Sequence, residues 1–167
     1  MKKLLSFLMA ALLLVGVCTA AVAENGGSIT IQNATAGQTY AIYKVFDATY
    51  SGTNISYTYT KNGESDALFA ALTDTEDALN PFVLTATVVE NVYTVTINAD
   101  ATAEAISEWL TAHKDLLTQT ASQVAASSTV VFENLPYGYY YVTSTLGAAV
   151  SIDTVTPNVT IIDKKQE

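Results

Sequence analysis

The chain has 167 residues, and sixteen acidic residues against seven lysines give it a net charge of −9. This length suits a single domain of ordinary size. The sequence contains no arginine, and an acidic surface repels phosphate backbones and anionic lipids. The composition therefore argues against nucleic-acid binding and favours a charged surface that keeps the domain in solution.

The N-terminus has the pattern of a secretory signal. A start containing two lysines precedes an apolar run over 4–17, and the small-residue sequence AVA comes directly before Glu24. We predict a signal peptide over 1–23 and no membrane span after its removal. The only cysteine, Cys18, lies inside this segment. The mature chain, 24–167, therefore cannot use disulfides, and its five lysines and sixteen acidic residues give a net charge of −11.

Strands are predicted along most of the mature chain, because β-branched and aromatic residues alternate with polar ones. In chain order the predicted strands are SITIQNA from Ser28, QTYAIYKVFDATY from Gln38, NISYTYT from Asn54, a hairpin PFVLTATVVENVYTVTIN from Pro81 that turns at Glu90–Asn91, a pair STVVFENLPYGYYYVTSTLG from Ser128 that turns at Pro136–Gly138, AAVSID from Ala148 and NVTIIDKK from Asn158.

Two helices interrupt this pattern, a short one in SDALFAALT from Ser65 and a longer one in DATAEAISEWLTAHKDLLTQ from Asp100. Thr102 can cap the longer helix, and Glu104 in its first turn suits the helix dipole. Its apolar residues recur at helical spacing: Ile106, Trp109, Leu110, His113 and Leu117. The sequence thus predicts a mostly β fold, a β-sandwich with a helix-containing insertion between roughly residues 64 and 128.

Residues suited to catalysis are scarce. His113 is the only histidine, and its place on an apolar helix stripe is typical of a structural histidine. One histidine and no mature cysteine are too few for a catalytic triad or a zinc site. Asp74, Glu76 and Asp77 lie close in sequence without EF-hand spacing, which favours a solvated loop. We therefore expect no enzymatic activity, no metal and no cofactor.

Lys44 lies in the middle of a predicted strand. Because side chains alternate between the two faces of a strand, Lys44 is expected to share the more apolar face with Ile42 and Phe46. A buried ammonium without a partner is costly. The sequence therefore predicts that Lys44 has a partner.

These features together resemble the CnaB-type, Ig-like domains of Gram-positive surface proteins. The resemblance rests on Lys44, on FENLPYGYYYVTS from Phe132, which fits the family pattern aromatic-x-x-Leu-Pro-x-Gly-x-Tyr, and on the closing strand NVTIIDKK from Asn158. With its helix-bearing insertion, the chain is most similar to the N-terminal domain of sortase-assembled pilin backbone subunits. The resemblance implies a secreted, non-enzymatic structural module of a pilus or cell-surface adhesin at the cell wall. Its partners would be other pilin subunits or host surface ligands.

The resemblance also implies a chemistry for Lys44. In many such domains a lysine of the first long strand forms an isopeptide bond with an Asn or Asp of the last strand. Asp163 and Asn158 are the two candidate partners, and we favour Asp163 because it shares the more apolar face with Val159 and Ile161. Two alternatives remain: a buried ion pair without a cross-link, and a lysine whose stem is covered while its amine reaches water.

The sequence departs from the family at the acid that assists this bond. That acid usually follows the Gly-x-Tyr strand, where Ser144 stands here, and the nearest replacements in sequence are Glu133 and Asp153. No Tyr-Pro-Lys-type motif and no Leu-Pro-x-Thr-Gly sorting signal are present, and the sequence stops at Glu167 where a linker to another domain would begin. Polymerisation is therefore expected by analogy alone, and a fragment of a longer chain is left open.

The alternative interpretation is a secreted carbohydrate- or protein-binding β-sandwich. Its candidate surface consists of tyrosines on the predicted strands and their turn: Tyr57, Tyr59, Tyr137, Tyr139 and Tyr141. Strand tyrosines more often pack across strands than form a binding platform, so this alternative ranks second.

Overall fold

The structure is a computed structural model, and it describes residues 26–51, 54–147, 149–153 and 158–160. The predicted signal peptide, with Cys18, and the favoured partner Asp163 lie outside the described residues.

Ten strands and two α-helices make up the regular structure of the described residues. The strands are β1 (Gly27–Gln32), β2 (Thr39–Ser51), β3 (Asn54–Thr60), β4 (Phe82–Ala86), β5 (Val92–Ile97), β6 (Gln119–Val124), β7 (Thr129–Leu135), β8 (Gly138–Ser144), β9 (Ala149–Asp153) and β10 (Asn158–Thr160). The helices are α1 (Ala67–Leu72) and α2 (Ala103–Ala112), and a 3-10 turn follows at Lys114–Leu116. The predicted strands and both predicted helices are present, although only 158–160 of the last predicted strand is described. The longer helix ends at Ala112 rather than near Gln119, where the unpredicted strand β6 begins.

The strands form two sheets. The small sheet has the order β10-β1-β7, in which β1 is antiparallel to β7 and parallel to β10. The large sheet has the order β4-β5-β3-β2-β8-β9. The long strand β2 pairs with β8 along one side and with β6 and then β3 along the other.

Two apolar cores separate three layers. The core between the sheets contains Ile29 and Ile31 of β1, Phe132 of β7, and Tyr40 and Tyr140 of the large sheet. The second core lies on the other face of the large sheet, beneath the helices, and its members include Phe46, Phe82, Trp109, Leu110 and Tyr141. The predicted mostly β sandwich with a helix-containing insertion is confirmed. The insertion is continuous with the sandwich, because its strands β4, β5 and β6 extend the large sheet.

Helix α2 has the predicted start but ends earlier than predicted, so His113 and Leu117 of the predicted stripe lie beyond it. The Thr102 hydroxyl accepts a hydrogen bond from the Ala105 amide at 3.1 Å and caps the helix. Ile106, Trp109 and Leu110 are buried. The part of the predicted stripe that lies in the helix is therefore the face that covers the large sheet.

A shared carboxylate fixes the start of α1. Asp66 Oδ1 accepts a hydrogen bond from the Phe69 amide at 2.9 Å, Oδ2 accepts one from the Asn62 amide at 2.9 Å, and the Tyr59 hydroxyl donates to the same carboxylate. Partial burial works to raise the pKa of Asp66, but these hydrogen bonds outweigh it and hold that pKa below its usual value of 3.8. Burial, and then the bond to Asp66, raise the pKa of Tyr59.

Replacing Asp66 with alanine is expected to cost about 1 kcal/mol at neutral pH, the usual loss for a helix cap. Because the folded-state pKa of Asp66 lies below the unfolded value, this stability is present above pH 3.8 and is lost as the pH falls through the folded pKa. Denaturant melts of wild type and Asp66→Ala over a pH series should therefore converge in acid. Asp66→Asn, which retains a capping oxygen without a titrating charge, is the control, and curves that stay parallel would contradict the assignment.

Candidate cross-link site around Lys44

The centre of β2 contains a β-bulge. Opposite β8, Lys44 pairs with Tyr140 and Phe46 pairs with Tyr139, so Val45 is an extra residue on β2. Val45 and Phe46 consequently both belong to the core beneath the helices. The strict alternation that placed Phe46 beside Lys44 therefore ends at the bulge.

The bulge brings an acidic residue to the face of Lys44. After the extra residue, Asp47 lies opposite Gly138 and Lys44 opposite Tyr140, two positions further along β8 on the same face. Lys44 Nζ donates to Asp47 Oδ1 at 2.6 Å. The side chains of Lys44 and Asp47 are 33% and 44% exposed, so this is a half-exposed ion pair rather than a buried one.

Gly138 provides the space for this arrangement. A Cβ atom at position 138 would lie 2.5 Å from the carbonyl oxygen of Phe46 and 3.1 and 3.2 Å from Cγ and Cδ of Lys44. The apolar stem of Lys44 therefore crosses β8 where no side chain stands, and its ammonium extends to Asp47. A lysine with a covered stem and an accessible charge is one of the alternatives left open by the sequence.

Neighbouring strands complete the surroundings of the ion pair. The Lys44 amide donates to Thr120 Oγ1 of β6 at 3.0 Å. Tyr140 is fully buried, and its hydroxyl donates to the Pro136 carbonyl at 2.8 Å. Burial, followed by the negative charge of Asp47, raises the pKa of Tyr140. Tyr140 is therefore a packed, neutral neighbour of the ion pair.

The predicted cross-link partners lie on or after the last strand. Asn158 begins β10, where the backbone register places it beside Thr30 of β1. Since β10 is in the small sheet and β2 in the large one, a bond between Lys44 and the last strand would join the two sheets. Asp163 lies outside the described residues. Contact of Lys44 with Asp163 or Asn158 stays a prediction.

The carboxylate beside Lys44 is one that the sequence did not indicate. Glu133 is exposed on β7, and Ser144 is half-buried near the end of β8. Asp153 pairs through its backbone with Tyr139. Asp47 was missed because strict alternation places it, three residues after Lys44, on the opposite face of the strand. No residue type near it indicates the bulge.

Two of the five candidate tyrosines are packed inside the domain, and the other three are half-buried. Tyr139 and Tyr141 are only 8% and 1% exposed, and the Tyr141 hydroxyl lies 2.6 Å from Thr111 Oγ1 of α2. Tyr57 and Tyr59 pack against the core beneath the helices. Tyr139 and Tyr141 therefore stabilise the attachment of the helices, and Tyr137, in the turn before β8, is half-buried.

Gly138→Ala is expected to destabilise the domain by about 1–3 kcal/mol, because the added methyl group overpacks the crossing of β2 and β8. The nearest obstacle is the carbonyl oxygen of Phe46, which belongs to the backbone. Shortening the neighbouring side chain in Lys44→Ala/Gly138→Ala should therefore recover only part of the loss. Denaturant melts of the two single variants and the double variant would test this, and full recovery would show that the lysine stem alone is the obstacle.

Within the described residues, no three His, Cys, Asp or Glu side chains are grouped so that they could hold a metal ion. None of the described helices is long and apolar enough to cross a membrane. Comparisons of the chain with protein-family models, with curated proteins and with solved structures gave no match.

Proposed function

We propose that the chain is a secreted, non-enzymatic structural module of a bacterial pilus or cell-surface adhesin, and that it transmits tension between its two ends. The observation that supports this function is the parallel pairing of β1 with β10 in the small sheet. The resemblance to pilin backbone subunits supports the surface location, with other subunits or host surface ligands as partners.

Parallel neighbours respond to tension in a particular way. The register places Thr30 beside Asn158 and Gln32 beside Thr160, so the beginning of β1 and the end of β10 lie at opposite ends of this pair. Tension between those two points pulls the strands past each other along their length. The hydrogen bonds of the pair are then strained together, although each one contributes only about 0.5–1.5 kcal/mol. Shear of this kind resists force better than peeling the strands apart one bond at a time.

Composition is consistent with this function. The mature chain predicted from the signal peptide contains no cysteine, so strand pairing and packing must supply the resistance that disulfides give many secreted domains. Both neighbours of β1 contribute to it, because β7 continues the small sheet on the other side.

Single-molecule pulling in two directions tests the proposal. Cysteine handles before Gly26 and after Thr160 load the β1–β10 pair in shear, whereas handles at Gln32 and after Thr160 lie at the same end of the pair and peel it. We expect a clearly higher unfolding force in the shear geometry. Equal forces in the two geometries would contradict a tension-bearing role, and the lack of native cysteines in the mature chain makes the labelling specific.

The state of Lys44 can be tested by intact mass. Amide formation with Asp163 or Asn158 releases one water and lowers the mass by about 18 Da. Because Lys44 Nζ is engaged by Asp47 and half-exposed, we expect the full mass. Lys44→Ala should then cost about 1 kcal/mol or less, the range of an exposed ion pair.

Lys44→Arg is the matched control, because arginine can pair with Asp47 but cannot form the amide. A wild-type protein that is lighter than the full mass by one water, beside a full-mass Lys44→Arg variant, would contradict the expected result and establish the cross-link. Asp163→Ala and Asn158→Ala would then identify the partner by restoring the full mass in only one case.

A further inference from the structure

The turn between β3 and α1 contains an Asn-Gly pair. Asn62 and Gly63 are both exposed, and Gly63 has a left-handed φ of +73° with nothing within 4 Å of the place where a Cβ would stand. The sequence has one other Asn-Gly pair, Asn25-Gly26, and Asn25 lies outside the described residues.

The reacting groups of this pair are unrestrained. The backbone amide of Asn62 donates to Asp66 Oδ2 at 2.9 Å. In the part of the chain that the structure describes, neither the Asn62 carboxamide nor the Gly63 amide nitrogen makes a hydrogen bond. The turn therefore holds the backbone of residue 62 while leaving its side chain free to rotate toward Gly63.

We propose that Asn62 is a site of spontaneous deamidation through a cyclic imide formed with Gly63. The Gly63 nitrogen attacks Asn62 Cγ, a new C–N bond closes the five-membered ring, and the Cγ–Nδ2 bond breaks. Nδ2 leaves as ammonia and takes the proton that the Gly63 nitrogen loses. Water then opens the ring at either carbonyl and gives aspartate or isoaspartate at position 62. Water is the only co-reactant. Asparagine is among the chemically least stable residues on heating.

The product lies where it disturbs the cap of α1. Deamidation adds a carboxylate to the residue whose amide donates to Asp66, and the isoaspartate form also lengthens the backbone by one methylene group. The new negative charge stands on a residue whose backbone contacts Asp66, and a nearby like charge disfavours the ionised carboxylate that caps α1. Modified chains should therefore hold α1 less firmly, and their fraction increases with the age of the protein.

Peptide mapping of the purified mature protein, incubated in mildly alkaline buffer and sampled over time, tests the proposal. The expected result is a gain of about 1 Da on the peptide that contains Asn62, ahead of every asparagine that is not followed by glycine. Both aspartate and isoaspartate should form, because direct hydrolysis without the imide gives aspartate alone. The aged protein should also melt at a lower temperature than the fresh protein.

Two controls make the test specific. Asn62→Gln removes the five-membered ring and should abolish the mass gain and the fall in melting temperature. Asn80 is an internal negative control, because Pro81 follows it and has no amide hydrogen to lose. Faster reaction at an asparagine that is not followed by glycine, an aspartate product without isoaspartate, or an unchanged melting temperature after conversion would each overturn the proposal.

Discussion

Replacing Trp109 with alanine is expected to lower the free energy of unfolding by about 3–5 kcal/mol, the usual cost of truncating a buried aromatic side chain. Trp109 is 4% exposed, and its ring meets the edge of Phe82 with centroids 5.5 Å apart. Its Nε1 donates to Asp77 Oδ2 at 2.8 Å. One side chain thus connects α2, β4 and the loop before β4.

Denaturant melts would measure this loss, and three variants make it interpretable. Trp109→Phe keeps an aromatic ring but not the hydrogen bond to Asp77, so its loss should be smaller. His113→Ala removes the ring that stacks on Trp109 at 3.9 Å. Glu108 is the exposed neighbour on the same helix, and Glu108→Ala should change stability by no more than about 0.5 kcal/mol. A loss below about 1 kcal/mol for Trp109→Ala would mean that the apolar face of α2 is not held against the sheet.

The parts of the fold that the sequence predicts are those where burial leaves a periodic pattern. In α2 the apolar stripe has helical spacing, and Thr102 stands where a cap is needed. In β7 the buried residues Val130 and Phe132 alternate with exposed ones, so the pattern of period two is unambiguous. One face of each of these elements meets a core and the other meets water, which is the condition under which hydropathy shows both the element and its orientation.

The bulge in β2 escaped prediction because that condition fails there. The first half of strand β2 has a core on both faces. Tyr40 and Ile42 lie in the core between the sheets, and Ala41 and Tyr43 lie in the core beneath the helices. Apolar residues are therefore required at successive positions, and an inserted residue such as Val45 leaves no break in the pattern. The ion pair between Lys44 and Asp47 depends on that inserted residue, so the alternation of side chains along a strand could not predict it.

Strand β6 was missed for a different reason. Its sequence, QTASQV, is polar and mostly exposed, and it lacks the aromatic residues that marked the other strands. It forms a strand because its backbone pairs with the edge of the first half of β2, from Thr39 opposite Val124 to Tyr43 opposite Gln119. The side chain of Gln123 also donates to the Val131 carbonyl of β7 at 2.8 Å, which connects the two sheets. Pairing with the neighbouring strand, rather than the residue types of β6, determines this structure, so composition alone predicts it poorly.

Ile31→Ala is expected to cost about 2–5 kcal/mol and to weaken the domain specifically against shear. Ile31 is fully buried in the core between the sheets, and its backbone pairs with Val130 on one side and Val159 on the other. Truncating it leaves a cavity directly under the β1–β10 pair. Chemical melts would measure the loss of stability, and pulling with handles before Gly26 and after Thr160 would measure the unfolding force.

Trp109→Ala is the matched control for that experiment, because it has a similar expected cost but acts in the core beneath the helices, on the other side of the large sheet. If separation of β1 and β10 is the rate-limiting step of forced unfolding, the packing around Trp109 is still intact in its transition state. Removing that packing then destabilises the native state and the transition state alike, so the unfolding rate should hardly change. We therefore expect Ile31→Ala to lower the shear unfolding force and Trp109→Ala to leave it close to wild type. Gln32→Ala, at the exposed neighbour of Ile31, should change neither quantity. An equal fall in force for the two buried variants would show that the force follows global stability, and that the parallel strands have no mechanical role of their own.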